Sequence, residues 1–171
     1  MKRFVAAFGA LFLVGVGQAL AAPRLLILNF EILDTSNEPV DRRSEHERRL
    51  AMIRDHIAEA LDRRGLYQIA DNALLEARIH EILARQYLRD CNGCEIELAQ
   101  QAGAEFVMRG KFNKISTLVG SMDIEIKRVA TDRPVYIQNF GFRGDTDEAW
   151  TRAAEFFARS LARKMAQGEA Q

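Results

Sequence analysis

The chain's two cysteines stand together in Cys91-Asn92-Gly93-Cys94, just ahead of a stretch, Glu95 to Gln101, that reads as a short helix. Two thiols at this spacing can close a disulfide, and an oxidising compartment would keep them joined. As a working redox pair, Cys91 would be the nucleophile, its thiolate favoured by the positive end of the helix beginning near Cys94, and Cys94 would resolve the mixed disulfide. The surroundings argue otherwise. Asp90, Glu95 and Glu97 place negative charge around the pair, which disfavours a thiolate. The pair follows a helix, whereas thioredoxin-like motifs follow a strand, and none of Pro23, Pro39 or Pro134 is an evident cis-proline partner. The preferred expectation is a structural clip, Cys91 to Cys94, worth roughly 2 kcal/mol for so small a loop. Haem attachment needs a histidine directly after Cys94, where the chain has Glu95. Zinc needs two further ligands, and the nearest histidine, His80, lies on a different helical stretch. No metal and no cofactor are expected.

Other reactive side chains read as structural. His46, His56 and His80 fall on helical stretches among acids and arginines, which predicts solvated faces. None pairs with a Ser or Cys nucleophile in a recognisable elbow, and no glycine-rich phosphate loop occurs. Asp123 and Glu125 alternate along one strand face and could serve as an acid and base pair. Outward positions on a one-sided sheet are normally charged, so a solvated face is the preferred expectation. Arg143-Gly144-Asp145 spells an adhesion tripeptide, but its aspartate also suits a helix cap. Phe140, Phe142, Trp150 and Phe157 read as core; Phe156 lies off the main stripe and suits a partner surface. No catalytic residue is assigned.

Compartment comes from the amino terminus. Met1-Lys2-Arg3, an apolar run from Phe4 to Gly17 and Ala19-Leu20-Ala21 ahead of Ala22-Pro23 make up a signal peptide over residues 1–21. Without Lys2 and Arg3, 22 basic residues face 24 acidic ones, a formal charge of −2. A neutral surface argues against nucleic acid as partner. No later apolar run approaches the roughly 20 residues that a spanning helix needs. Residues 22–171 suit a single domain, able to bury roughly 70% of its unfolded surface.

The elements follow from periodicity. Residues 24–33 form a continuous apolar run that predicts one central strand buried on both faces. Asp34 to Arg43 reads as a loop. Ser44 and Glu47 form a capping-box pattern opening a helix. Leu50, Ile53, Ile57 and Leu61 give that helix an inner stripe, Arg48, Arg49, Arg54, Asp55 and Asp62 face water, and Gly65 stops it. Leu66 to Ala70 predicts a second, parallel strand. Leu74 to Leu88 predicts a helix with Leu75, Ile79, Ile82 or Leu83, and Tyr87 inward. The last third alternates: strands begin at Phe106, run through Met122 to Lys127 and reopen at Val135, an antiparallel meander with one wet face. Asp145, three residues before Glu148, predicts the cap of a final helix with Trp150, Ala154, Phe157 and Leu161 inward. The expected fold is a three-layer α/β (α+β) domain with a mixed sheet, in the order β-α-β-α-α-β-β-β-α.

Three segments carry a resemblance: Leu25 to Phe30, Arg64 to Asp71, and Ala99 to Phe112 with its Ala-Gly-Ala-Glu-Phe-Val-Met-Arg-Gly-Lys-Phe ending. They are similar to exported α/β domains akin to the TolB amino-terminal domain and to curli-secretion CsgG. Over residues 24–165 the chain resembles a family of small exported proteobacterial proteins of uncharacterised function. The resemblance implies a periplasmic α/β domain working through its surfaces, with a link to periplasmic quinoprotein dehydrogenases. The chain departs from TolB in lacking a propeller and from CsgG in lacking a lipidated cysteine and membrane-spanning strands. The expectation is therefore a non-enzymatic periplasmic accessory or protein-interaction domain of an envelope system, whose partner is another periplasmic or envelope protein. The alternative is a periplasmic thiol-disulfide oxidoreductase using Cys91 and Cys94.

Overall fold

The apolar run at residues 24–33 is not one strand. In the computed structural model of the chain, which describes residues 21–169, β1 (Arg24–Ile27) and β2 (Glu31–Asp34) are separated by Leu28-Asn29-Phe30. Both pair in parallel with β4 (Phe106–Lys114), Ile27 opposite Met108 and Glu31 opposite Lys111. Four steps along one chain thus match three along the other, which defines a β-bulge. The extra residue changes the pleat's phase, so odd-numbered Leu25 and Ile27 and even-numbered Phe30 and Ile32 all pack into the same core. The run is apolar at both parities because β1 is buried on both faces, Leu26 and Leu28 packing on the opposite side, and because the phase changes before β2. Opposite the bulge, a side chain at Gly110 would place Cβ 2.5 Å from the Phe30 ring, so this position takes glycine.

The remaining elements are α1 (Arg43–Arg63), β3 (Gln68–Ile69), α2 (Glu76–Leu83), α3 (Cys94–Gln101), β5 (Val119–Arg128), β6 (Arg133–Arg143) and α4 (Asp147–Ala166). The sheet runs β3-β1-β4-β5-β6, parallel across β3, β1 and β4 and antiparallel across β4, β5 and β6. Helices α1 and α4 cover one face with Ile53, Ile57, Leu61, Trp150, Phe157 and Leu161. On the other face α2 and α3 bury Ile79, Ile82 and Leu98 against Leu26, Leu28 and Val107. This is the expected three-layer mixed-sheet domain, with the meander wet on one face. The second helical layer reaches only β1 and the start of β4, so Arg109, Lys111, Ser121, Asp123, Glu125, Ile137 and Asn139 remain uncovered at the surface.

Several local expectations are corrected. Helix α1 begins one residue before Ser44 and has no side-chain cap; the Arg43 N–H instead donates to Asp41 Oδ1 at 3.0 Å, which relieves the need for a capping box. Gly65, at φ +64°, ends α1 as expected, with Gly65 N–H to the Asp62 carbonyl and Leu66 N–H to the Leu61 carbonyl. Arg49 does not face water: it is buried and ion-paired. Helix α2 stops at Leu83, leaving Leu83 and Tyr87 exposed. Thr146, not Asp145, caps α4, its side chain accepting from Ala149 N–H. The export segment expected at residues 1–21 lies, up to residue 20, outside the described residues.

Candidate functional site

The cysteine turn is formed by a 3₁₀ turn (Leu88–Asp90) that leads into Cys91, and by Gly93 at φ +87°, which lets the chain reverse into α3. The Cα atoms of Cys91 and Cys94 are 5.7 Å apart, within the ordinary disulfide range. Cys91 is buried in the α2/α3 core among Leu88, Leu98 and Ala99. Glu95, one residue beyond, is also buried and turned toward the sheet, with Oε1 at 2.9 Å from Lys127 Nζ and 3.4 Å from Arg109. The carboxylate that the sequence places beside the thiols is thus neutralised by two cations from β4 and β5. Its Oε2 is buried without a hydrogen-bond partner. His80 is exposed on α2, and among the described residues no group of His, Cys, Asp and Glu is arranged to hold a metal ion.

A cleft of about 270 Å³ opens where the second helical layer ends. The bulge residues Leu28 and Asn29 form one wall with Leu88; Arg109, Lys111, Asp123, Glu125 and Ile137 form the floor and far rim. Cross-strand register sets the rim, since Arg109 pairs with Glu125 and Glu125 with Ile137, while Lys111 pairs with Asp123 and Asp123 with Asn139. Arg109 donates to Glu125 through Nε at 3.1 Å and through Nη2. Asp123 accepts from Asn113 Nδ2 at 2.8 Å, from Asn139 and from Lys111 at 3.3 Å. Burial pushes the Asp123 carboxyl up, but these donors outweigh it and hold it below its ordinary value. Burial likewise works against the Arg109 charge, and Glu125 with Glu95 more than restores it. Asp123 and Glu125, the pair that could have served as acid and base, are each occupied by cationic or amide partners from the neighbouring strands. Ile137 is 65% exposed at the cleft's edge. The sequence shows this alternation but not the cleft, which depends on the bulge and on where the second helical layer stops.

A second polar centre lies at the opposite end of the buried face. Lys114, at the end of β4, is 4% exposed, and its Nζ lies 3.1 Å from Glu38 and Asp145 and 3.7 Å from Asp34. His46 is buried beside it, Nε2 3.5 Å from Nζ, against the expectation of a solvated histidine. Burial pulls the Lys114 ammonium down, but its hydrogen bonds to Asp145 and Glu38 outweigh this, and the net direction is up. Arg49 joins the group through Asp145 at 2.8 Å, Asp147 at 2.7 Å and Glu45. Arg48 and Arg49 donate to Asp147 and hold it at about 2. Asp145 of the Arg-Gly-Asp sequence is thus committed to internal pairing. His56, also read as solvated, is half-buried on α1 and bonds Glu155 of α4 at 2.9 Å. Every charge in this centre faces a partner inside the fold, so it pins β2, β4, α1 and α4 together.

A family model described as "Protein of unknown function (DUF2380)" matches residues 23–161. No curated protein matches the chain. Among solved structures, Lipoprotein GNA1162 from Neisseria meningitidis superposes with a TM-score of 0.53 at 12% identity, over 84% of this chain and 96% of that one. The PelC dodecamer from Paraburkholderia phytofirmans gives 0.50 at 14% identity, over 85% and 90%. Both are likenesses of fold. TolB from Acinetobacter baumannii superposes more loosely, at 0.47 and 10% identity, over 84% of this chain and 28% of that one.

Proposed function

This chain belongs to that family of proteins of unknown function, and we propose that it is a non-enzymatic periplasmic accessory domain that binds another envelope protein through the uncovered face of β4, β5 and β6. The observation that carries the reading is the cleft: exposed Ile137 stands at its edge, within a rim of charges already paired to one another. An exposed apolar side chain beside paired charges supports an interface, where apolar contact and polar surround occur together. The export segment expected at residues 1–21 supports the periplasmic location. Cross-linking of the purified mature domain in envelope extracts tests the reading. A discrete cross-linked species is expected with the wild type and should be lost in Ile137→Asp and in Lys111→Glu, while stability changes by less than about 1 kcal/mol. Retention of the species in both variants would remove the cleft from the interface.

The cysteine pair is proposed as a structural clip. Burial of Cys91 supports this, since exchange needs a thiolate that an incoming disulfide can reach. Equilibration of the mature domain with glutathione should give a reduction potential at or below about −300 mV. Replacing both cysteines with alanine should cost roughly 2 kcal/mol and leave partner binding intact. A potential near −200 to about −120 mV would make the turn an exchange site instead.

A further inference from the structure

Strand β6 ends the sheet, pairing with β5 on one side and with no strand on the other among the described residues. It is eleven residues long, where strands commonly have about 5–6. The Gly144 N–H donates to the Leu118 carbonyl at 3.0 Å, which fixes the parity of the β5–β6 ladder. Even-numbered residues from Tyr136 to Gly144 therefore bond inward. Ile137, Asn139, Gly141 and Arg143 turn N–H and C=O outward, away from β5.

Proteins usually blunt such an edge with prolines, bulges, inward charges or short strands. On β6 these devices gather at one end, in Pro134 and the register shift at Ile126/Lys127. From Val135 to Phe142 the strand has neither proline nor charge. Its charges sit at the two ends, exposed Arg133 and Arg143, and no acid lies between them. Apolar contacts flank the edge on both faces: Ile137 on the uncovered side, and on the helical side Phe156 of α4, 47% exposed and edge-on to Phe140 at 5.6 Å. Arg159 and Arg163 adjoin Phe156 and add to the positive side.

We infer that β6 accepts an extended segment of the partner protein as an added strand, apolar at alternate positions and acidic at both ends. The occupant is not a second copy. A two-fold antiparallel copy centred on Gln138 would set Arg133 of each chain opposite Arg143 of the other, a like-charge pairing that disfavours the match. An acidic-ended segment instead meets a cation at each end and the free backbone of Ile137, Asn139 and Gly141 between. The inference rests on the reading of this domain as an interaction module, and it explains Phe156, which the core does not use.

The probe is a fluorescein-labelled nine-residue peptide alternating valine and threonine between aspartates, compared with the same peptide ended by lysines. Titrated against the mature domain, the aspartate form should bind and slow amide exchange at Ile137, Asn139 and Gly141 by about tenfold or more. Gly141→Pro removes one outward N–H and should weaken binding by about tenfold or more. Gly141→Ala, whose Cβ meets no atom within 4 Å, should bind like the wild type. The paired change Arg133→Glu and Arg143→Glu should reverse the peptide preference. Equal binding of both peptides, unprotected β6 amides at saturation, an unaffected Gly141→Pro, or a wild-type dimer sedimenting through this edge would each overturn the inference. If the edge is silent while Lys111→Glu still abolishes envelope cross-linking, the added strand fails and the interaction domain stands.

Discussion

Lys114→Met is expected to lower unfolding stability by about 3 kcal/mol and the melting temperature by roughly 6–12 °C. The variant keeps the volume and apolar stem of the lysine but leaves Asp145, Glu38 and Asp34 facing one another without their shared cation. Removing one partner of a buried ionic group leaves the others to bear desolvation, here offset in part by Arg49 at Asp145 and Arg42 at Glu38. Partial exposure of Asp34 keeps the expected loss at the low end of the range for such groups. The effect also has a pH signature. Because the folded pKa of Lys114 lies above its ordinary 10.5, the stabilisation is fully present below that value and is lost as pH rises through the raised one. Urea unfolding of wild type and variant should therefore differ by the full amount at pH 7 and converge only in strong alkali. A difference below about 1 kcal/mol at pH 7 would mean that the carboxylates are hydrated or protonated in the folded protein.

Trp150→Ala should cost about 3–5 kcal/mol, the range for truncating a large buried aromatic. Trp150 is the chain's sole tryptophan, 2% exposed. Its ring stacks on Phe112 at 4.3 Å and 9°, meets Phe142 edge-on at 6.1 Å, and has the Arg49 guanidinium over it at 5.8 Å. It joins the apolar core to the charged centre, so the cavity left behind would also let water reach Asp145 and His46. Trp150→Phe should recover much of the loss, and circular dichroism during urea unfolding measures both. A loss below about 1 kcal/mol for the alanine variant would show that α4 can close onto β4 without the ring.

Much of this architecture is legible in the residues because period and burial agree. The stripes Leu50-Ile53-Ile57-Leu61 and Trp150-Ala154-Phe157-Leu161 are inward as their spacing requires, and Met122 to Lys127 alternates as a half-covered strand must. The readings that fail do so where long-range pairing overrides local chemistry. Asp145 has the type and spacing of a helix cap, but Arg49 and Lys114, brought from α1 and β4, outcompete a backbone donor for it. His46 and Arg49 look like a wet face of α1 because Asp145, which both of them face, is about 100 residues away in the chain. The cleft has no local signature, since its wall and floor come from the bulge between β1 and β2, from β4, β5 and β6, and from the turn before α3. The β6 edge is partly visible, as a long run without charge between two arginines, but only strand order shows that it is unpaired.

The bulge at Leu28-Asn29-Phe30 lets β1 and β2 share one partner strand although the chain between them is a step longer than its match on β4. With the extra residue in place, Asp34 lies opposite Lys114 and within reach of it on the buried side. Deleting one residue of the three would match three steps with three and keep Ile32 and Asp34 inward and Glu31 and Leu33 outward, whereas a straight strand retaining all three would invert them. The segment behaves as a phase shifter in the pleat, whose bulged backbone takes up one surplus residue and so lets the buried cation meet its acid.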